Sequence, residues 1–466
     1  MPPILALFLT FTFIYFLYRR EPRNKAEVSN AIWIPLLWFL ITGSMFVSQW
    51  LAILGVHLGE TSIEDGSPID RVVFFSLILC GVYVLNKRRV TIEEFSRHNR
   101  LLTFFLVYCF IAILWSDFPF VAAKRWIKIL GHPIMVLVIL TEANPIEAVR
   151  RVLKRAAYVL VPMSILFIKY FPQYGRGFDA WTGVGFNRGV TLNKNELGYG
   201  CMIFGLFFFW NTLLAFRIKN RMAKRKELLL SIAFFGMIWW LLRASESATS
   251  LLAMLIGIAT MVVLGLPFIN KRYIGMYVLF AVFAVAAAEP FFGIYAHVLQ
   301  ILGRDPTLTD RTQVWHAALK LVENPILGAG FESFWLGSRL DKLGEIWWWQ
   351  PNQAHNGYIE TYLNLGWAGI AILAILIVGT FQKIRLDLLK RLDFGRFRLG
   401  CLFAILAYNF TEATFKGVHL VWTLFYLIAI DYPIRRKSRP VKLPAPARPE
   451  NETPNPRPVA SETSTG

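Results

Sequence analysis

His355-Asn356-Gly357-Tyr358-Ile359-Glu360 leads within a few residues into Gly366-Trp367-Ala368-Gly369-Ile370-Ala371-Ile372-Leu373-Ala374-Ile375-Leu376-Ile377-Val378-Gly379-Thr380. From 356 to 381 the run is long and apolar enough to cross a hydrocarbon core of about 30 Å. It opens on an imidazole, and a carboxylate follows where charge is costly. Runs of similar character recur in both directions along the chain. They lie near 2–18, 31–54, 70–86, 101–115, 121–140, 156–172, 196–216, 228–242, 248–268, 273–290, 397–411 and 416–433, which makes about thirteen spans. The first carries no small-residue cleavage site and reads as an anchor, not a signal peptide.

Composition agrees with this pattern. The 466 residues are 56% hydrophobic and only 17% charged, with a mean hydropathy of +0.48. Both departures exclude an ordinary soluble globule and a disordered chain. The expected fold class is therefore an all-α polytopic membrane protein, with about 12–13 transmembrane helices and one large outer loop. The formal charge of +19 would suggest nucleic acid in a soluble protein. Here most of the 49 Lys and Arg residues fall in alternate connections, such as Lys87-Arg88-Arg89 and Arg150-Arg151, and in the tail from Arg435. That bias marks the cytoplasmic side and requires no nucleic-acid partner. The N-terminus then faces out and the C-terminus in. Cys80, Cys109, Cys201 and Cys401 lie in apolar stretches without metal spacing and read as packing residues.

This map divides the chain into an N-terminal bundle over 1–290, an outer loop over 291–355, C-terminal spans over 356–434 and a Pro-rich disordered tail over 435–466. A second long outer connection covers 173–195. Long connections between spans carry function, so the chemistry is expected on the outer face.

Within the large loop an amphipathic helix is expected over 309–323, capped by Thr309 or Asp310 and ended by Asn324-Pro325. Val314, Trp315, Ala318, Leu319 and Val322 form its apolar stripe. Arg311, on its first turn, suits either an ion pair with Asp310 or Asp305 or a ligand contact. Gly328-Ala329-Gly330 is a turn where backbone can approach a ligand, or an ordinary bend. Trp347-Trp348-Trp349 suits an interfacial belt or a sugar-binding surface.

His355 has an unperturbed pKa of about 6.5, which suits proton transfer, and it shares a helical face with Tyr358 and Tyr362. Asn356 is a capping residue beside it. In the shorter loop Asn193 and Glu196 form a capping-box pattern. Lys194, Asn195 and Arg188 surround that helix start, and such a start seats phosphate. Lys124, Arg125 and Lys128 fall in the outer turns of the fifth span, where they either snorkel or meet a lipid phosphate. Arg243 precedes Ser245-Glu246-Ser247 at another outer junction. No carboxylate cluster for a metal appears, so Arg and Lys would have to meet leaving-group charge.

Asp310-Arg311…Trp315…Asn324-Pro325…Gly328…Gly330…Phe334, followed by His355-Asn356-Gly357-Tyr358…Gly366…Gly369, resembles the O-antigen ligase and polymerase superfamily. These are bacterial inner-membrane, C-type glycosyltransferases. Gly189-Val190-Thr191…Lys194-Asn195…Leu197-Gly198 is similar to the outer-loop pattern of exopolysaccharide-polymerisation members. The resemblance implies an undecaprenyl-pyrophosphate-linked glycan as donor, an acceptor glycan or lipid A-core, no cofactor, no metal and a site facing the periplasm. It implies that Arg311 contacts the diphosphate and that His355 activates the acceptor hydroxyl. One departure stands out: many ligases have an arginine after the Ser/Thr pair, where this chain has Ala248. Arg243, Arg188 or Lys194 would have to replace it, and this tilts the expectation from ligase toward polymerase. A flippase of lipid-linked sugars is the rival from another class, but it would need mid-span charges and internal repeats.

Overall fold

The computed structural model describes residues 1–21, 28–56, 66–178, 183–293 and 311–433. The expected caps Thr309 and Asp310, the ion-pair candidate Asp305 and the tail 435–466 lie outside these residues. Apolar periodicity dictates the architecture. Each predicted span is occupied by helix, and the β-structure among the described residues is a single short hairpin, Arg176–Phe178 paired antiparallel with Gly185–Asn187. The protein is an all-α polytopic membrane protein.

Five helices are by themselves long and apolar enough to cross a membrane, and Pro68–Lys87, Lys194–Ala215 and Gly357–Lys390 are among them. Asn30–Thr42 and Val47–Ile53, bent by 58°, make a sixth when the broken pair is counted as one span. The other predicted spans are shorter helices, such as Arg100–Ile111 and Leu420–Ala429, or split ones, Pro119–Ile129 followed by Gly131–Leu140. Pro145–Tyr170 has the length, but its first turns are crowded with Arg150, Arg151, Lys154 and Arg155. These pair with Glu147, Glu227 and Glu21.

Lys194–Ala215 lies at the centre, buried over most of its length, with Ala248–Val263 and Leu392–Tyr408 packed against it. Trp210 stacks on Phe397 at 4.4 Å between ring centroids. Peripheral Ile274–Phe292 is scarcely covered by protein, as suits a helix solvated by lipid.

Gly357–Lys390 is not one continuous rod. Gly366 has φ 64° and ψ −165°, a conformation open essentially to glycine alone, and breaks the helix there. A break inside a bilayer frees backbone groups that must find partners. The outer loop supplies them: Trp367 N–H donates to Pro325 O at 2.9 Å and Ala368 N–H to Ile326 O at 3.1 Å. In return Ala329 N–H donates to Leu363 O at 3.0 Å. The glycine turn at 328–330 therefore approaches another stretch of backbone closely. A Cβ on Gly328 would lie 2.5 Å from the Asn364 carbonyl carbon.

Candidate active site

Three of the expected residues meet on a residue the sequence reading did not single out. Leu392–Tyr408 and Leu420–Ala429 are joined by a polar connection, and Glu412 in it is 7% exposed. Its Oε1 accepts from Asn195 Nδ2 at 2.8 Å and from Arg311 Nη2 at 3.1 Å. Its Oε2 faces His355 Nδ1 at 3.3 Å. Arg311 also donates through Nη1 to the Thr411 carbonyl. Burial pushes the Glu412 carboxyl up, but the Arg311 charge and the His355 and Arg311 hydrogen bonds outweigh it and hold the group down to about 2. At neutral pH it is thus an anion between a guanidinium and an imidazole.

Local sequence explains how each partner gets there. Arg311 lies on the helix described over Arg311–Lys320, which ends before the expected 323, with Val314 and Ala318 buried beneath it. Leu319, placed on the same stripe from the sequence, is instead 42% exposed. One turn after Arg311, Trp315 Nε1 donates to Ala354 O at 2.6 Å, tying this helix to the residue before His355. Asn356 caps Gly357–Lys390 by accepting from Tyr358 N–H and Ile359 N–H at 2.9 and 3.1 Å. His355 is left just outside the helix with φ 48°, an uncommon conformation for a residue with a side chain. With a carboxylate at Nδ1, the ring's proton is drawn to that nitrogen and Nε2 becomes the acceptor. Nε2 faces Gln353 Nε2 at 3.4 Å.

Asn195 belongs to the first turn of Lys194–Ala215. Asn193 caps that helix, accepting from Glu196 N–H at 2.9 Å. The Glu196 carboxyl group bonds Leu192 N–H at 3.0 Å and Asn193 Nδ2 at 3.2 Å, so the helix start already has an acidic side chain of its own folded over it. Lys194, beside Asn195, is half-buried.

The remaining expected residues stand elsewhere. Arg188 donates through Nε to Tyr174 O at 3.1 Å, at the base of the hairpin. Arg243 is exposed on the last turn of Arg221–Ser245. Tyr358 spends its hydroxyl on Leu406 O at 3.0 Å, inside the bundle. Lys124 lies over the Phe120 ring at 4.7 Å and Lys128 over Phe74 at 5.7 Å. Arg125 donates to the carbonyl of Glu332, whose carboxylate accepts Gly417 N–H. Of the three cations, Arg125 thus reaches through Glu332 to the far end of the connection that carries Glu412. Among the described residues no group of three or more His, Cys, Asp or Glu is placed to hold a metal ion.

Comparison with known proteins places this cluster in context. The exopolysaccharide production protein ExoQ of Rhizobium meliloti is 26% identical over 292 residues, 59% of this chain and 63% of that protein. A protein of Rickettsia felis described as a candidate polysaccharide ligase is 23% identical over 295 residues, 60% of this chain and 67% of that one. The chain thus spans less than two thirds of the length of the first. Arg311 and His355 both fall within residues 229–374, the segment that matches the O-antigen ligase family.

Proposed function

We propose that this protein is a membrane glycosyltransferase of the exopolysaccharide or O-antigen polymerase type. It moves a glycan from undecaprenyl pyrophosphate to an acceptor sugar hydroxyl at the periplasmic face of the bacterial inner membrane. The reading rests above all on one observation: Glu412 bridges the Arg311 guanidinium and His355 Nδ1, which leaves His355 Nε2 as the proton acceptor.

In this mechanism the acceptor hydroxyl gives its proton to His355 Nε2 as its oxygen bonds the anomeric carbon. The bond from that carbon to the pyrophosphate breaks on the opposite face, so configuration inverts. The departing electron pair and its charge stay on the pyrophosphate. Arg311 meets that charge, supported by Lys194 beside the Asn195–Glu412 contact. Glu412 holds the imidazole in its reactive tautomer and stabilises the imidazolium that forms, as carboxylates do behind other histidine bases. No step requires the side chain of Tyr358, whose hydroxyl is engaged elsewhere.

General-base catalysis is worth about 10²–10⁴-fold, so His355→Ala loses turnover by about that factor and still inserts in the membrane. Arg311→Lys is also poor, because an ammonium cannot reproduce a planar two-pronged phosphate contact. Assay of both variants with a lipid-linked glycan tests this, and normal polymer output from them would refute the assignment.

The match to the O-antigen ligase family supports a second reading, transfer onto lipid A-core or another terminal acceptor by the same chemistry. Glycan lengths in a deletion strain separate the two. A polymerase loses long chains and keeps single repeats, whereas a ligase loses attachment and accumulates lipid-linked chains.

A further inference from the structure

Glu360 is a buried carboxylate, 3% exposed, that the proposed mechanism does not use. Its Oε2 accepts from Ala354 N–H at 2.9 Å. Its Oε1 accepts from Trp335 Nε1 at 2.9 Å and lies 3.5 Å from Lys416 Nζ. Ala354 immediately precedes His355, and Lys416 is on the same connection as Glu412. One carboxylate therefore grips both strands of chain whose side chains meet at the His355–Glu412 contact.

The remaining ties are arranged so that Glu360 decides the register. The near end of the 409–417 connection is fixed to the helix start, where Gly357 N–H donates to Asn409 O at 2.8 Å and Asn356 Nδ2 to Phe410 O at 2.9 Å. Its far end is held by Glu332 and by Glu360 through Lys416. Ala354 is held at both polar atoms, its carbonyl by Trp315 and its N–H by Glu360. His355 has a backbone conformation that side-chain-bearing residues seldom adopt, so it needs such restraint. Without the Glu360 carboxylate, an indole N–H, an amide N–H and an ammonium all lose an acceptor in a buried place, and such networks fail as a unit.

We propose that Glu360 is a positioning residue that sets His355 and Glu412 in register, through Ala354 N–H on one side and Lys416 on the other. It rests on the reading of His355 as the base, and it adds a residue that never touches substrate. Displacement of a reacting group by about 1 Å costs up to about 10²-fold in rate. Glu360→Gln therefore lowers kcat roughly 10- to 100-fold and leaves donor KM within about twofold.

The experiment measures steady-state kinetics of the full chain in lipid nanodiscs, with a polyprenyl-pyrophosphate-linked glycan as donor. Glu360→Gln is made in the natural sequence and again alongside His355→Ala. A residue acting through His355 causes its loss in the first background and none in the second, because groups that work as a unit are not additive. Equal losses in both backgrounds, or a rise in KM alone, overturn the proposal. Full turnover by His355→Ala alone would overturn the reading of the site itself, and the positioning role with it. Lys416→Gln, at a partly exposed position, carries the same test where Glu360→Gln does not fold. It is expected to lower kcat in the natural sequence and to add nothing to His355→Ala.

Discussion

Glu412 concentrates the residue-scale argument. A carboxyl held at about 2 against an ordinary 4.5 is a depressed acid. Its stabilising contribution is complete above the unfolded value and is lost as pH falls from about 4.5 toward 2, a loss on the order of 3 kcal/mol. The thermal midpoint of the purified protein is therefore expected to hold between neutrality and about pH 5, then to fall. Glu412→Gln removes this component, so the gap between variant and natural protein closes in acid, and thermal scans at several pH values check it. The same substitution leaves Arg311 half-served and the imidazole without its carboxylate, so turnover should drop at neutral pH as well. Arg311, His355 and Asn195 were legible in the sequence because each has a local signature: a first-turn arginine, an imidazole before a cap, a polar helix start. Glu412 was not. It sits in a connection so short that hydropathy treats it as a turn, and only tertiary packing shows what it faces. Its one available signal was a carboxylate at the edge of the bilayer, the same clue that drew attention to Glu360.

At the scale of elements, the interlock between the broken helix and the 325–329 segment is the clearest case. A Cβ on Gly366 would lie 2.2 Å from Ile326 O, in a backbone conformation only glycine tolerates. Gly366→Ala is expected to destabilise by about 1–3 kcal/mol, read as a lowered thermal midpoint. Gly200 is the contrast. It lies in mid-helix, a Cβ added there would meet nothing within 4 Å, and Gly200→Ala should be neutral or stabilising by up to about 1 kcal/mol. Sequence reading recovered both partners of the interlock, the apolar run and the glycine turn. It could not see that they pair with each other, because hydropathy is blind to the direction in which a freed N–H points. The capping arrangement at Asn193–Glu196 was visible for the opposite reason, since both groups lie within one turn.

For the whole molecule, composition and the recurring apolar runs were enough to establish the fold class. The number of spans was less legible. Helices such as Leu420–Ala429, only ten residues long, are apolar enough to read as spans but short of a bilayer's thickness on their own. Orientation makes a direct prediction. Single cysteines introduced at 184 and 323 should react with a membrane-impermeant maleimide in intact spheroplasts, whereas one at 225 should react only after lysis. The reverse pattern would contradict the charge-based map.

The interlock at Gly366 also bears on biogenesis. Residues 325–329 leave the ribosome well before their docking partner exists, because that partner is made only when the stretch around 366 has been synthesised and inserted. At about 5–20 residues per second the wait lasts a few seconds. During it the carbonyls of the nascent segment have only water for partners, so the interlock closes only once both stretches are in place.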